Sequence, residues 1–309
     1  MHASVRALLS GIIDYAGLFP PAKLPLEEAL RNYLHYRKES PYRWMLGRFV
    51  CPVGRLQESL TLAKSHSDEL LLSVSALGRQ TYDKSEFLAQ FESDMKVIQD
   101  LPQIWGIDSA VGTYETLVPV DLAAIPMEVR MALDRNQVDD IFLEIPATPR
   151  WRNEIRDRLA RLLPRSRIGL KLRTGGVSPD AFPSDGDVAF FIDHCRHANA
   201  RWKATAGLHH PRRFWDESLK VWHHGFLNIF TAAVLAGVHQ FGQSDIAAIL
   251  ADRPAEHLHF DDDRLSWKGW SCTVRQIIDQ RRQFATSFGC CTFDEPVEEL
   301  LAMGLLDRA

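Results

Sequence analysis

The chain has little that would tie it to a membrane, to nucleic acid or to an oxidising compartment. No apolar run approaches the roughly 20 residues that a membrane helix needs, and GFLNIFTAAVLAGV (225–238), the nearest, is short and preceded by histidines. The N-terminal segment has no signal-peptide pattern, because Asp14 interrupts its apolar stretch and no small-residue cleavage site follows. Five cysteines, an odd number with Cys290 and Cys291 adjacent, make a poor disulfide framework and fit a reducing compartment, so a cytoplasmic location is expected. With a net charge of -4 and both signs interspersed there is no basic stripe for a phosphate backbone. The expected partner is a small molecule.

Catalytic motifs are scarce too. No glycine-rich dinucleotide loop follows the first strand, which removes the usual reason to choose an open doubly wound sheet. No HExxH helix and no H-x-H after the first strand occur, so the familiar metal-hydrolase patterns are absent. Cys290-Cys291 lacks CxxC spacing and reads as buried small side chains. Asp261-Asp262-Asp263 lacks the alternating ligands of a calcium loop and reads as a turn.

What is present is alternation. Short β-rich runs are followed by segments with helical apolar spacing, the mark of parallel α/β architecture. Strands are expected in GIIDYAGLF (11–19), WMLGRFVCP (44–52), LLLSVSAL (70–77), IWGIDSAVGTYE (104–115), DDIFLEIPA (139–147), RIGLKLRTGG (167–176), RWKATAGLHHP (201–211) and VWHHGFL (221–227). Eight such units predict a (β/α)8 TIM barrel over residues 1–241. The rhythm changes after that, and residues 242–309 read as an α-rich C-terminal extension with one hairpin-like stretch. It either covers one end of the barrel or joins copies of the chain into a homo-oligomer.

Active sites in such barrels lie at the C-terminal ends of the strands. Polar residues placed there are Asp14 and Tyr15, Arg48, Asp108, Glu144, Lys171 and Arg173, Lys203, Thr205, His209 and His210, and His224 and Asn228. A strand buried on both faces tolerates charge only when it is paired or functional. Lys171 and Arg173 share one side of their strand, as do Lys203 and Thr205. Two lysines held close disfavour each other's charge, and burial adds to this, so one amine is expected to become a neutral nucleophile. Such an amine forms a Schiff base with a carbonyl, whose protonated nitrogen is an electron sink for carbon–carbon chemistry.

Lys171-Leu172-Arg173-Thr174-Gly175 resembles the Lys-x-x-Thr-Gly strand of the deoxyribose-phosphate aldolase family. Trp202-Lys203-Ala204-Thr205-Ala206-Gly207 is similar to that family's next strand, and VWHHGFLNIFTAAVLA to its eighth, the resemblance covering about the last third of the barrel. It implies a class I aldolase without a cofactor, with Lys171 as Schiff-base former, Lys203 as the neighbour that lowers its pKa, and an acid from an earlier strand in the proton relay. Strand seven departs from the family with one more residue before its glycine and with GLHHP for a Gly-Gly pair. With Arg173 and the His209-His210 pair, this points to a different, anionic substrate, with a carboxylate clamped by Arg173 or Arg48. Glu144 is the candidate general acid or base, and Thr205, His209, Asn228 and Asp14 complete the expected substrate contacts. The alternatives are a metal-dependent hydrolase or isomerase using His209, His210, His224 and Glu144, and a non-catalytic ligand-binding barrel.

Overall fold

The computed structural model describes residues 1–66, 72–105, 111–119, 126–135, 137–146, 148–161 and 167–308. Helix α1 (Ala3–Leu9) leads into β1 (Ile13–Tyr15), and βα units follow: α2 (Leu26–Glu39), β2 (Leu46–Pro52), α3 (Leu56–His66), β3 (Val74–Leu77), α4 (Lys84–Trp105), β4 (Val111–Leu117), α5 (Met127–Asp134), β5 (Asp140–Glu144), α6 (Trp151–Leu159), β6 (Ile168–Arg173), α7 (Asp185–His197) and β7 (Trp202–Thr205). Local chemistry sets several boundaries. In α2, Pro25 precedes a first turn with Glu27 and Glu28, and Arg37 and Lys38 lie in the last, so charge complements the helix dipole at both ends. In α7, Ser184 and Asp187 form a reciprocal capping box.

After β7 the chain departs from the simple alternation. A hairpin of β8 (Phe214–Asp216) and β9 (Val221–His223) comes first, followed by α8 (Phe226–His239) and α9 (Gln243–Leu250). A three-stranded antiparallel sheet of β10 (Leu258–Phe260), β11 (Arg264–Trp267) and β12 (Trp270–Thr273) leads to α10 (Val274–Gln283), β13 (Ala285–Cys290) and α11 (Asp294–Ala302). The expected (β/α)8 barrel is present: β1 to β7 pair in sequence order, and β13 closes the ring between β7 and β1, every pairing parallel.

The eighth strand is therefore not VWHHGFL. Its first three residues pair with Phe214–Asp216 and lie outside the barrel. The closing strand is ATSFGC, so the barrel reaches Cys290 and a boundary at 241 would cut it. The physical reason lies in composition: ATSFGC is small and polar because its inward side chains meet a polar interior, while the aromatic VWH segment satisfies strand preference in a local hairpin. The turn expected at Asp261 is present, with its carboxylate accepting from the amides of Asp263 and Arg264.

Outside the ring, large side chains weld strands to helices. Trp202 of β7 is fully buried against Phe191, Phe230 and Phe284, and burying one such side chain contributes roughly 2–3 kcal/mol. Helix α8 is buried nearly all round, its face shared by the barrel, α9 and α10. At the N-terminal end of the barrel Arg281 of α10 is buried and donates to the carbonyls of Leu8, Ser10, Ala285 and Thr286, tying α1 to the start of β13. No helix among the described residues is long and apolar enough to cross a membrane.

Candidate active site

Alternation along each strand turns one set of side chains inward, and here that set is charged. Lys171 and Lys203 are direct register partners on β6 and β7, with Arg173 and Thr205 paired two residues nearer the mouth. Between the lysines stands Glu115 of β4, fully enclosed. Its Oε2 lies 2.9 Å from Lys171 Nζ, and its Oε1 accepts from Lys203 Nζ and from the Ser75 hydroxyl of β3, each at 2.5 Å.

The chain of opposite charges continues both ways. Lys203 Nζ donates to Asp14 Oδ2 of β1 at 2.5 Å, and Ser287 of β13 donates to the same oxygen at 2.7 Å. Lys171 Nζ lies 3.1 Å from Glu144 Oε2 of β5, whose other oxygen accepts from Arg173 Nε at 2.8 Å. Six charged groups thus run Asp14, Lys203, Glu115, Lys171, Glu144, Arg173, with signs alternating and summing to zero. Only Arg173, its side chain 47% exposed, reaches well into solvent. Charges this deep persist because each has a partner; removing one partner leaves the other stranded.

Strand β2 takes part through its backbone. The register between β1 and β2 slips, Ile13 facing Leu46 but Tyr15 facing Phe49, and this bulge frees the Arg48 amide to donate to Asp14 Oδ1 at 2.8 Å. Gly47 is required there, since a Cβ would come 2.4 Å from that carboxylate oxygen. Beyond the network, Gly207 has φ +76°, and its Cβ would lie 2.9 Å from the Gly175 Cα, so the turns after β6 and β7 cross in contact.

The electrostatics follow from this enclosure. Burial pushes the Glu115 carboxyl up, but the two ammoniums outweigh it and hold it well below the carboxylate range. Glu144 is likewise raised by burial and lowered further by Lys171 and Arg173, ending below its ordinary value. For Lys171, burial disfavours the charge, yet Glu115 and Glu144 overcome it and raise the pKa. The expectation that neighbouring lysines lower each other's pKa is thus reversed at Lys171, because Glu115 stands between them.

Lys171, Lys203, Glu144, Arg173 and Asp14 are brought together in this network, and Thr205 lies two residues beyond Lys203 at the mouth. Three other expected contacts are not. The Arg48 guanidinium lies beside Gly112 at the start of β4, near Asp139, at the N-terminal end of the barrel and away from the mouth. Asn228 is saturated structurally, accepting from the Arg213 amide and donating to the carbonyls of Ile249 and Asp252. His209 faces Glu295, Cys290 and Cys291 at the edge of the barrel. Burial opposes its charge, but the two thiols and Glu295 raise its pKa to about 11.

The imagined metal set does not assemble: Glu144 is held by Lys171 and Arg173, while His224 is buried against the Pro183 carbonyl and Asp185. Among the described residues, the group spaced to hold an ion is instead His210, Glu295 and Glu299. Asp108 lies outside the described residues. Glu115, Ser75 and Ser287 were missed. The signal for Glu115 was period two in VGTYETL: Tyr114 packs outward on Phe91 and Asp94, which turns Glu115 inward.

A cleft of about 920 Å³ opens at the mouth, lined in part by Leu117, Glu144, Trp151, Arg173 and Phe182. It places the outer end of the charge network at the wall of a space able to hold a small molecule. No protein-family model matches the chain, and no curated protein matches it.

Proposed function

We propose that the chain is a lyase that makes or breaks a carbon–carbon bond through a Schiff base on Lys171. The observation that carries this reading is the bridging position of Glu115, which links both lysines in one buried, ion-paired chain that ends at the cleft. The fold is one on which many enzymes are built, with the site where such barrels hold it.

The raised pKa of Lys171 and the lowered pKa of Glu144 hold the proton on nitrogen at rest, so the neutral amine forms only transiently and at a free-energy cost. Lys171 passes one proton to Glu144, and the neutral Nζ adds to the substrate carbonyl carbon. The carbinolamine hydroxyl then takes a proton back from Glu144 and leaves as water. The ammonium at the start and the protonated imine at the end each carry one positive charge, so a site balanced around the first is balanced around the second. The electron pair of the adjacent carbon–carbon bond then flows to the imine nitrogen as the substrate's β-hydroxyl gives its proton to a carboxylate. Lys203 helps keep Glu115 ionised and holds Asp14 in place through an ion pair. Arg173, half-exposed on the cleft wall, suits a substrate bearing a carboxylate. No step calls for a cofactor.

Borohydride reduction in the presence of small aldehydes and keto acids, read by intact-protein mass, tests the proposal. A covalent adduct on the wild-type protein is expected, absent in Lys171→Ala and retained at reduced yield in Lys203→Ala. No adduct with any of the panel, or an adduct that survives Lys171→Ala, would overturn it.

A further inference from the structure

A second cluster of chemistry-bearing side chains lies outside the charge network, where the loop after β7 meets α11. Glu295 and Glu299 are four residues apart on α11 and so share a face. Against that face lie two adjacent histidines: His209 Nδ1 is 2.9 Å from Glu295, His210 Nε2 is 3.9 Å from Glu295, and His210 Nδ1 bonds Glu299. Donor atoms of His210, Glu295 and Glu299 all lie within 4.8 Å of one another.

We propose that His210, Glu295 and Glu299 form a binding site for one divalent cation of the zinc class. Imidazole nitrogen with two carboxylate oxygens is a donor set suited to zinc, which takes such ligands at about 2.0–2.2 Å. The glutamate side chains are 41% and 39% exposed, so an ion can reach them from solvent. Among the described residues, the ion pairs of both carboxylates are with His209 and His210 alone, so no lysine or arginine competes with an ion for them. Cys290 and Cys291, 1% and 7% exposed, aim their thiols at His209 from 3.8 and 4.0 Å, so they are engaged there and stand outside the proposed ligand set. His209 holds Glu295 in place and is not itself a ligand. The bound ion pins α11 to the loop that leaves β7 just beyond Lys203, a structural role separate from the Schiff-base chemistry.

Calorimetric titration of the full chain with zinc chloride, after chelator treatment, is the test. One ion per chain is expected, with affinity at least about tenfold weaker in His210→Ala and in Glu299→Gln, and with zinc raising the Tm of the wild type alone. Each variant's Tm without zinc, compared with that of chelated wild type, reports whether it still folds. Cobalt substitution reads the donor set: ligand-field bands without a thiolate charge-transfer band are expected. Absence of stoichiometric binding, binding unchanged in both variants, or a thiolate band would each overturn the assignment.

Discussion

Glu115 accepts from two ammoniums and a hydroxyl inside the barrel, and its replacement by glutamine would leave Lys171 and Lys203 sharing less than their own charge. Breaking a buried ion network in this way costs roughly 3–5 kcal/mol, so Glu115→Gln is expected to unfold at markedly lower urea concentration than wild type. The pH dependence has a definite sign. Because the folded-state pKa values of Glu115 and Glu144 are depressed, their stabilisation is fully present above the unfolded value of about 4.3 and is lost as pH falls below it. Lys171 acts at the other end: its raised pKa stabilises below the unfolded value of about 10.4 and is lost as pH rises through the folded value. Urea unfolding between pH 5 and 3 should show stability falling more steeply in wild type than in Glu115→Gln. An equal slope in the two proteins would mean that Glu115 is not ionised in the folded state.

At the level of elements, the site depends on small departures from regularity. The bulge in β2 delivers a backbone amide to Asp14 only because Gly47 leaves room, so Gly47→Ala should displace that carboxylate, cost about 1–3 kcal/mol, and lower adduct formation on Lys171 although residue 47 touches no substrate. Mass spectrometry of the reduced adduct and a thermal melt measure the two effects separately. The same elements explain how far the sequence could be read. Strands β5, β6 and β7 declared themselves by compact apolar runs interrupted by Glu144, Lys171 and Lys203, and period-two reasoning placed Arg173 and Thr205 on the lysines' side. Glu115 escaped because IWGIDSAVGTYE drew attention to Asp108 rather than to the acid near its end. Arg48 misled because a strand's inward residues include those at its closed end, which a linear reading does not separate from those at the mouth. ATSFGC lacked strand character because Ser287 and Gly289 face a polar interior, a fact of the assembled ring and not of the segment.

Over the whole molecule, closure joins the two ends of the sequence. Helix α1 packs on α10, Met1 pairs with Asp307, and β1 pairs with β13. A fragment ending at residue 241 lacks the closing strand and Arg281, and it exposes the edges of β1 and β7. It is therefore expected to be insoluble or to lack a cooperative melt, whereas a protein shortened by removing the exposed β8–β9 hairpin tip should still fold. Circular dichroism melts of the two distinguish them, and a stable, cooperatively melting 1–241 fragment would contradict the topology. There is also a consequence for biosynthesis. Asp14 and Ser287, which share a hydrogen bond, are 273 positions apart, so a chain leaving the ribosome carries its charged interior unsealed until β13 has been made. Until then five buried ionic side chains face water and two sheet edges stay open to other nascent chains. The cell's exposure to misassembly of this protein is thus set by translation time, and slowing elongation between the codons for β7 and β13 should raise its demand for chaperones.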